Sequence, residues 1–391
     1  MIIPKLAVRN MLGAGVKTWL NAIVLSMAYV VIIGTQGLYI GVDAQVSRTL
    51  IDFEYGGGQY WAEKYDPFDP FSLQDAHQPL AGPLTSLAEK GRATPILIVQ
   101  GTIFPGGRIL PVLIKGIDPG QKLLSFPAAL LKAPGHELPA LIGSRMSETS
   151  GLKKGDTVTV RWRDVNGTFD ARDIEIVEVM STTDQAIDNG QIWMPLETLQ
   201  EMAGMAGQAT IVVTEKKFGP AALVPGWTFK DLDYLLQDIK SIVRAKRIGA
   251  SILYSILLIL AMLAIFNTQV LSIWRRRKEI GTMMALGFSR GKVIRLFTLE
   301  GALNGVLAAL IGAFYGIPLL ATMATRGLSF PRGQYDSFGI AMSEKLYPTY
   351  GAVLIAGTTI LVFIITTVVS FMPTRKIAKL KPTDALRGKL T

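Results

Sequence analysis

The chain has 391 residues, of which 49% are hydrophobic and only 18% charged, and its formal net charge is +10. Soluble proteins carry about 25% charged residues, so this composition argues against a soluble enzyme. Cysteine is absent, which excludes a disulfide-stapled fold and leaves any external domain dependent on its own hydrophobic core.

Four segments are apolar enough and long enough to cross a lipid bilayer, for which a helix needs about 20 residues. Buried helices of soluble proteins rarely remain apolar on every face over such a length, so we interpret these segments as transmembrane helices. They cover residues 19–40, 248–273, 296–325 and 349–372. The predicted fold is therefore an α-helical membrane protein with four transmembrane helices and an α+β extracytoplasmic domain, residues 41–247, inserted between helices one and two.

The distribution of Lys and Arg predicts which side of the membrane each segment faces. Residues 1–18, 274–295 and 373–391 together carry sixteen Lys and Arg against two acidic residues. Residues 41–247 carry 21 Lys and Arg against 25 Asp and Glu, a net charge of −4. By the positive-inside rule, both termini and the connector between spans two and three are cytoplasmic. The positive charge then reflects topology and anionic lipid headgroups, and we predict no nucleic-acid partner.

The chain opens with a predicted cytoplasmic amphipathic helix, residues 1–18, in which Pro4 suits a helix start. Cations are interspersed with apolar residues along it, so we expect it to lie in the lipid headgroup region. The span that follows, residues 19–40, is longer than the apolar region of a signal peptide and lacks a small-residue cleavage site. We interpret it as a retained signal-anchor.

Segment 41–247 alternates short β-branched runs with turn residues, which predicts an external domain of helices and strands. A Pro-Gly-Gly turn joins two apolar runs into a hairpin, and a small antiparallel β unit follows a strand–helix pair. A helix and a last strand come next, and one long helix then leads into the second span without Gly or Pro. In chain order these elements are residues 94–104, 109–117, 138–148, 157–163, 168–180, 195–205, 209–214 and 231–247.

Nothing in this domain predicts an enzyme site. His77 and His136 are the only histidines, and neither has a second histidine or a cysteine nearby, so we expect no metal site. The acidic residues are scattered among cations, which is typical of a solvated surface. No motif of a catalytic nucleophile or a zinc helix occurs, and we predict that this chain binds no cofactor.

The connector between the second and third spans, residues 274–295, has four consecutive cations followed by an amphipathic run. Arg275, Arg276, Arg277 and Lys278 are predicted to anchor at the membrane headgroups. The run that follows has apolar side chains that a solvated loop has no reason to display, which predicts a binding surface for another protein. Its residues are Glu279, Ile280, Gly281, Met283, Met284, Ala285, Leu286, Gly287 and Phe288.

The third span carries a stripe of glycines that predicts close packing against another helix. Gly301, Gly305, Gly312 and Gly316 are spaced by four, seven and four residues, so they share one helical face. Small residues at this spacing let two helix backbones approach each other inside a membrane. We therefore interpret this face as a packing surface.

Three smaller features complete the prediction. Asn267 and Thr268 lie inside the second span, where a polar side chain usually bonds across to a neighbouring helix, so we predict packing in preference to substrate contact, with Asn267 as the packing residue. Residues 326–348 are expected to form a short external hairpin. Residues 373–391 are expected to form a basic cytoplasmic helix with a proline break.

The connector reads R-K-E-I-G over residues 277–281 and A-L-G over 285–287, and L-F and L-E-G follow at 296–297 and 299–301. This run closely resembles the signature of the FtsX/MacB-type ABC transporter permeases. Family members often have further basic residues after the E-I-G, where this chain has T-M-M, so its partner contact is expected to be more apolar. Other similar stretches are residues 6–11 (L-A-V-R-N-M), 113–118 (L-I-K-G-I-D), 151–159 (G-L-K-K-G-D-T-V-T) and the tail 373–387.

The resemblance implies a permease subunit that pairs with a second permease subunit, as a homo- or heterodimer, and with two cytoplasmic ABC ATPase subunits. The chain has no Walker motif, so ATP and Mg would bind to those partners and this chain would not be an enzyme. The connector would be the coupling helix seated in an ATPase groove, and ATP-driven closure would pass along the helices to the external domain (mechanotransmission). The implied location is the bacterial cytoplasmic (inner) membrane.

The resemblance leaves the cargo open. The first interpretation is a LolC/LolE-like permease that extracts or releases a lipoprotein or other amphipathic cargo, with a periplasmic chaperone as its partner. The alternatives are a MacB-like efflux or peptide-export permease that works with a periplasmic adaptor, and an FtsX-like transmembrane regulator of an external hydrolase. A membrane-anchored hydrolase is the least supported interpretation, because no catalytic constellation was found.

Overall fold

The structure, a computed structural model, describes residues 2–13, 15–132, 138–180, 190–216, 223–329 and 345–375. His136, residues 330–344 of the expected external hairpin and residues 376–391 of the expected C-terminal helix lie outside the described residues. The described α-helices are α1 (Ile2–Gly13), α2 (Val16–Leu50), α3 (Gly82–Glu89), α4 (Ser144–Ser150), α5 (Leu196–Ala203), α6 (Leu232–Leu235), α7 (Gln237–Arg275), α8 (Arg277–Ala285), α9 (Arg290–Arg326) and α10 (Ala352–Thr374).

The described strands alternate with the shorter of these helices. They are β1 (Gln59–Ala62), β2 (Gln78–Pro79), β3 (Ala93–Ile103), β4 (Leu110–Ile117), β5 (Pro139–Gly143), β6 (Thr157–Arg163), β7 (Phe169–Met180), β8 (Gln191–Pro195), β9 (Gln208–Ala209), β10 (Ile211–Thr214), β11 (Trp227–Lys230), β12 (Leu328–Ser329) and β13 (Lys345–Leu346). The short strands β12 and β13 pair with each other, where the sequence predicts the external hairpin.

The chain divides into two compact units. The first comprises the described residues of Met1–Val42, Val243–Leu328 and Leu346–Thr391, and the second comprises those of Asp43–Ile242 and Ser329–Lys345. The first unit is helical and the second contains most of the strands.

In the first unit, the helices α2, α7, α9 and α10 are long and apolar enough to cross a membrane, which confirms the prediction of four such helices. Each of the first three extends beyond its predicted apolar segment, because the flanking Lys, Arg, Gln and Asp residues end the apolar run without ending the helix. A shared core joins the four helices. It contains Ala22, Leu25, Tyr29, Leu258, Ala261, Ile265, Ala308 and Val362.

Helix α1 packs against α9, so it does more than lie in a headgroup layer as the sequence suggested. Ala7 and Met11 on α1 are buried within the protein, whereas Lys5 and Arg9 are exposed. The side of α1 that carries Ala7 and Met11 is thus covered by protein.

In the second unit, six strands form a closed ring in the order β3, β4, β8, β5, β7 and β6, and β6 pairs back onto β3. The pairs β4–β8 and β5–β7 are parallel, and the other four are antiparallel. The pairing of β6 with β3 closes these six strands into a small barrel with a filled interior, and β10, β1 and β11 extend the sheet from β3. The largest interior side chain is Trp162, whose indole Nε1 donates to the carbonyl oxygen of Met202 at 2.8 Å.

The β3–β4 hairpin and the β6–β7 hairpin are confirmed, as is the strand-then-helix arrangement of β5 and α4. The predicted antiparallel unit of β6 and β7 is part of the larger sheet, because β7 also pairs in parallel with β5. The strand near residue 210 is not the last one, since β11 follows it and joins the sheet through β1.

The entry into α7 differs slightly from the single long helix that the sequence predicts. The short helix α6 is capped by the carboxylate of Asp231, which accepts a hydrogen bond from the backbone N–H of Tyr234 at 2.8 Å. Leu236 separates α6 from α7, and α7 then runs without interruption for 39 residues. The predicted continuity therefore holds from Gln237 onward.

Candidate functional site

The connector consists of the helix α8, a short turn and the start of α9. Gly287 lies in the turn with a φ angle of +92°, a conformation that residues with a Cβ rarely adopt. Ser289 precedes α9 in an extended conformation, so the chain reverses direction within the four residues between the two helices. The predicted coupling helix over residues 274–295 is thus a helical hairpin, of which α8 is the shorter arm.

One side of α8 is fastened to the long helices by an apolar cluster. Ile280 on α8 packs with Ile273 at the end of α7 and with Val293 and Phe297 near the start of α9, and all four are buried. The cluster is extended by partly buried apolar side chains, namely Met284, Phe288 and Ile294. Ile280 therefore faces the protein interior, although the sequence suggested that it contributes to a partner surface.

The other side of the connector is open to solvent. Leu286 is 78% exposed, and the side chain of Glu279 is 59% exposed. Thr282, Ala285 and Gly287 are exposed as well, whereas Met283 is half-buried and Gly281 is buried. The predicted contact residues thus fall into an inward-facing group and an outward-facing group, because neighbouring helical residues are rotated by about 100°.

An ion pair fixes the start of the connector. The Nη1 of Arg276 lies 3.0 Å from the Oε2 of Glu300 on α9, and the two side chains are 21% and 6% exposed. The guanidinium Nε also donates to Glu279 at 2.8 Å, and its centre lies 5.0 Å from the ring of Phe297. The amide of Asn10 on α1 donates to Glu300 at 3.4 Å. Three segments that are distant in sequence therefore meet at one carboxylate.

The electrostatics of this site keep Arg276 charged. Burial opposes the charge, but the carboxylates of Glu279 and Glu300 outweigh that effect and raise the pKa of Arg276 above its usual value. A protonated guanidinium offers five donors in a fixed plane, so one side chain can bridge both carboxylates.

The four cations that were predicted to anchor at the headgroups also fall into outward-facing and inward-facing residues. Arg275 and Lys278 are exposed. The guanidinium of Arg277 lies 4.3 Å from the ring centroid of Trp274, an amphipathic pair of the kind enriched at membrane interfaces. Arg276 is the exception, since it turns inward to Glu300 and is not free to contact headgroups.

The glycine face of α9 is buried and lies against two different helices. A Cβ at Gly301 would collide with Ser370 on α10, and one at Gly305 would come within 2.7 Å of the Thr366 hydroxyl on the same helix. Farther along, a Cβ at Gly316 would lie 2.6 Å from Val30 on α2, whereas Gly312 is less tight, with its nearest contact 3.5 Å away at the carbonyl oxygen of Ser26.

Of the two polar residues predicted to bond from α7 to a neighbouring helix, only Thr268 has such a bond among the described residues. Asn267 is exposed, and Thr268 accepts a hydrogen bond from the side-chain amide of Asn21 on α2 at 2.6 Å. One position along a helix changes the direction of a side chain by about 100°, which is enough to move the contact from Asn267 to Thr268.

Sequence reasoning missed Glu300 and Gln269 as members of this site. Both are buried, and the Oε1 of Gln269 has no hydrogen-bond partner among the described residues. The sequence could have indicated both residues, because a polar residue within an apolar span usually has a specific partner. In the second unit, His77 bonds Gln208 at 2.6 Å, and no group of three His, Cys, Asp or Glu suited to a metal occurs among the described residues.

Residues 251–382 match the FtsX-like permease C-terminal family. The macrolide export ATP-binding/permease protein MacB of Neisseria gonorrhoeae is 26% identical over 236 residues, which cover 56% of this chain and 34% of the relative. An uncharacterised ABC transporter permease of Methanocaldococcus jannaschii is 29% identical over 40% of this chain and 36% of its own length. The ABC transporter permease YtrF of Bacillus subtilis is 27% identical over 37% of this chain and 33% of its own length. The chain thus spans about a third of the length of these curated relatives.

Proposed function

We propose that this chain, an ABC transporter permease of the FtsX/MacB type, couples a separate ATPase to its own sheet-rich unit. ATP and Mg bind to the partner ATPase, and this chain supplies no chemistry to the hydrolysis. The partner docks on the outward-facing residues of the connector around Glu279 and Leu286. A second permease subunit completes the membrane assembly.

The observation that carries the proposal is that the connector is fixed on one side and open on the other. Its inner side is held to α7 and α9 through Ile280 and through the Arg276–Glu300 ion pair. Its outer side leaves the large apolar side chain of Leu286 in solvent. A displacement imposed on the outer side therefore moves the ends of two long helices together.

Helix α7 provides the route along which such a displacement travels. It is unbroken over its 39 residues from Gln237 to Arg275, a length of about 58 Å at 1.5 Å per residue. Its first residues belong to the sheet-rich unit and the remainder to the helical unit.

The charge distribution supports a bacterial inner-membrane protein with the connector and both termini in the cytoplasm and the sheet-rich unit outside. On that placement the ATPase and the cargo-handling unit act on opposite sides of the membrane. The cargo that we propose is a lipoprotein or another amphipathic molecule released from the membrane, in agreement with the exposed aromatic rings Phe71 and Phe169 of the sheet-rich unit. A periplasmic chaperone is the partner expected for such cargo.

The second candidate is an export permease, which the alignment with MacB over 56% of this chain favours. The name of that relative concerns macrolide export, and on this alternative the outer unit contacts a periplasmic adaptor. Copurification from native membranes distinguishes the two, because a chaperone and lipoproteins accompany the first and an adaptor accompanies the second.

Cross-linking tests the docking surface directly. A photoreactive amino acid placed at Leu286 is expected to join the chain to an ATPase with a Walker motif, identified by mass spectrometry. The matched control position is Leu310, an equally apolar exposed residue of α9 that lies within the candidate span. Absence of an ATPase adduct at Leu286, or equal yields at both positions, contradicts the proposal.

A substitution adds an independent readout. Leu286→Asp is expected to lower ATPase copurification by about tenfold or more, because burying a carboxylate at an interface costs more than about 1.4 kcal/mol. Leu286→Met keeps the apolar surface and is expected to retain the ATPase. Equal copurification of the two variants would place the contact elsewhere.

A further inference from the structure

The barrel wall of the second unit contains a groove with a volume of about 620 Å³. It opens where the pairing partner of β3 changes from β10 to β6. The residues 93–96 of β3 pair with β10, and the residues 101–103 pair with β6. Between them, the backbone N–H of Ile98 bonds the side-chain hydroxyl of Thr210 at 3.0 Å, so the sheet is open along this short stretch of the described structure.

The floor of the groove is apolar and belongs to the barrel core. Val99, Val112, Trp162 and Met205 line it, and all four are buried. One wall is the helical turn Pro70–Gln74, whose Pro70 carbonyl oxygen accepts a hydrogen bond from the amide of Gln100 at 2.9 Å. A volume between about 300 and 1,000 Å³ with a mostly apolar lining is typical of a small-molecule site.

Two aromatic rings stand at the rim of the groove in contact with solvent. Phe71 is 87% exposed on the helical turn, and Phe169 is 66% exposed at the start of β7. The turn that carries Phe71 is capped by Asp69, whose carboxylate accepts a hydrogen bond from the Phe71 backbone N–H at 3.0 Å. Exposed aromatic rings add little to the stability of the fold. Where the backbone that carries them is ordered, they indicate a binding surface.

The charged residues of the lining favour a negative ligand. They are Arg161, Arg163 and Asp164. The Asp164 carboxylate accepts hydrogen bonds from the backbone N–H groups of Asn166 and Thr168, and Arg163 donates through Nε to the carbonyl oxygen of Gly167.

Arg161 stays available to a ligand. Its guanidinium centre lies 5.3 Å from the Phe169 ring and 5.6 Å from the Phe104 ring, and no carboxylate pairs with it within the described residues. Nearby aromatic rings hold a guanidinium in place without neutralising its charge. An anion is therefore the expected ligand of the guanidinium N–H groups of Arg161.

We propose that this groove binds the acyl chain of an anionic long-chain amphiphile, with its carboxylate or phosphate at Arg161. The chain lies on the floor of Val99, Val112 and Trp162, and the rings of Phe71 and Phe169 cover it. A cationic amphiphile is disfavoured, because its headgroup would meet two guanidinium groups and a carboxylate that is already hydrogen-bonded. The proposal rests on the amphipathic cargo proposed above and assigns that cargo a site.

Photolabelling of the full chain tests the proposal. The protein is reconstituted in phosphatidylcholine nanodiscs without any ATPase and exposed to palmitate that carries a diazirine near its methyl end. Adducts are expected in peptides that cover residues 97–113 and 157–169. Hexadecanol and hexadecylamine with the same diazirine are expected to label these peptides progressively less, because only palmitate bears the anion.

Charge reversal at one arginine provides the decisive comparison. Arg161→Glu is expected to reduce palmitate labelling of the groove by about tenfold or more, since it replaces a charged hydrogen-bond donor with a carboxylate that repels the anion. Arg172→Glu makes the same change on the neighbouring strand β7, opposite Val160 and outside the groove, and is expected to leave labelling unchanged. Thermal unfolding of both variants checks that the barrel is intact, and Phe169→Ser provides a second, uncharged disruption.

The proposal is overturned if the three headgroups label the groove equally, if adducts occur only in the spans, or if the two arginine variants behave alike. None of these outcomes depends on the connector. A Leu286→Asp variant that loses its ATPase is expected to bind palmitate normally. A failed prediction for palmitate binding can therefore be distinguished from a failed prediction for ATPase coupling.

Discussion

Arg276 and Glu300 are 24 positions apart in the chain, yet the Nη1 of the arginine lies 3.0 Å from the Oε2 of the glutamate. The pair joins the residue after α7 to the first turns of α9. It closes the hairpin of the connector from the side opposite the turn at Gly287. The connector is therefore held at both ends, and its outer face has a defined orientation relative to the two long helices.

The first prediction concerns this pair. Glu300→Ala is expected to lower the free energy of unfolding by about 3–5 kcal/mol, because it removes the buried carboxylate that pairs with the half-buried guanidinium of Arg276. The measurement is denaturant-induced unfolding in detergent, followed by circular dichroism. The double variant Arg276→Met with Glu300→Met is expected to recover most of this loss, since an apolar pair of similar volume needs no charge compensation. A double variant as unstable as Glu300→Ala would show that the ion pair is not the cause.

The second prediction separates the two faces of the connector. Ile280→Ala is expected to destabilise the protein by about 2–5 kcal/mol, because the side chain is fully buried and its removal leaves a cavity between α7 and α9. Leu286→Ala removes an exposed side chain of similar size and is expected to change thermal stability very little. If the two substitutions have equal effects on the unfolding temperature, then Leu286 is covered in the folded protein and is not a free docking residue.

The third prediction ranks the glycines of α9. Gly305→Ala and Gly316→Ala are each expected to cost about 1–3 kcal/mol, because the added methyl group would lie within 2.7 Å and 2.6 Å of Thr366 and Val30, respectively. Gly312→Ala meets its nearest atom at 3.5 Å and is expected to be neutral or to stabilise by up to about 1 kcal/mol. Thermal unfolding of the three single variants gives the order. A greater loss in Gly312→Ala than in Gly305→Ala would contradict the described packing of α9.

The fourth prediction compares two adjacent polar residues of α7. Thr268→Val removes the hydrogen bond from Asn21 and is expected to lower stability by about 0.6 kcal/mol and by no more than about 1.7 kcal/mol, the average and the maximum for polar contacts between membrane helices. Asn267→Leu replaces an exposed residue of the same span and is expected to leave the packing unchanged or to improve insertion. Chemical unfolding in lipid bicelles measures both, and a larger loss in Asn267→Leu would reverse the assignment of the contact.

The features that follow from local sequence could be predicted. The four apolar helices need only composition and length, and the β3–β4 hairpin follows from two β-branched runs around a Pro-Gly-Gly turn. The four glycines of α9 fall on one face because their spacing follows the helical period, and the structure finds all four buried.

The features that depend on distant contacts could not be predicted. Closure of the barrel requires β6 to reach β3 and two parallel pairs to form, and no local pattern records either event. The strand β8 is too short to give a periodic signal by itself. The sequence predicts an outward direction for Ile280 because it belongs to a short amphipathic run, and for Arg276 because it is one of four consecutive cations. Which side of such a run is covered depends on how the turn at Gly287 folds it back.

The central claim is that the ATP state of a partner reaches the sheet-rich unit through the connector and α7. Hydrogen–deuterium exchange of the permease–ATPase complex, with and without a non-hydrolysable ATP analogue, tests it most directly. We predict that the nucleotide changes amide exchange over residues 231–247, at the start of α7, and that Leu286→Asp abolishes the change while leaving the exchange of the nucleotide-free protein unaltered. Exchange over residues 231–247 that is the same with and without nucleotide in a complex that hydrolyses ATP would contradict the account.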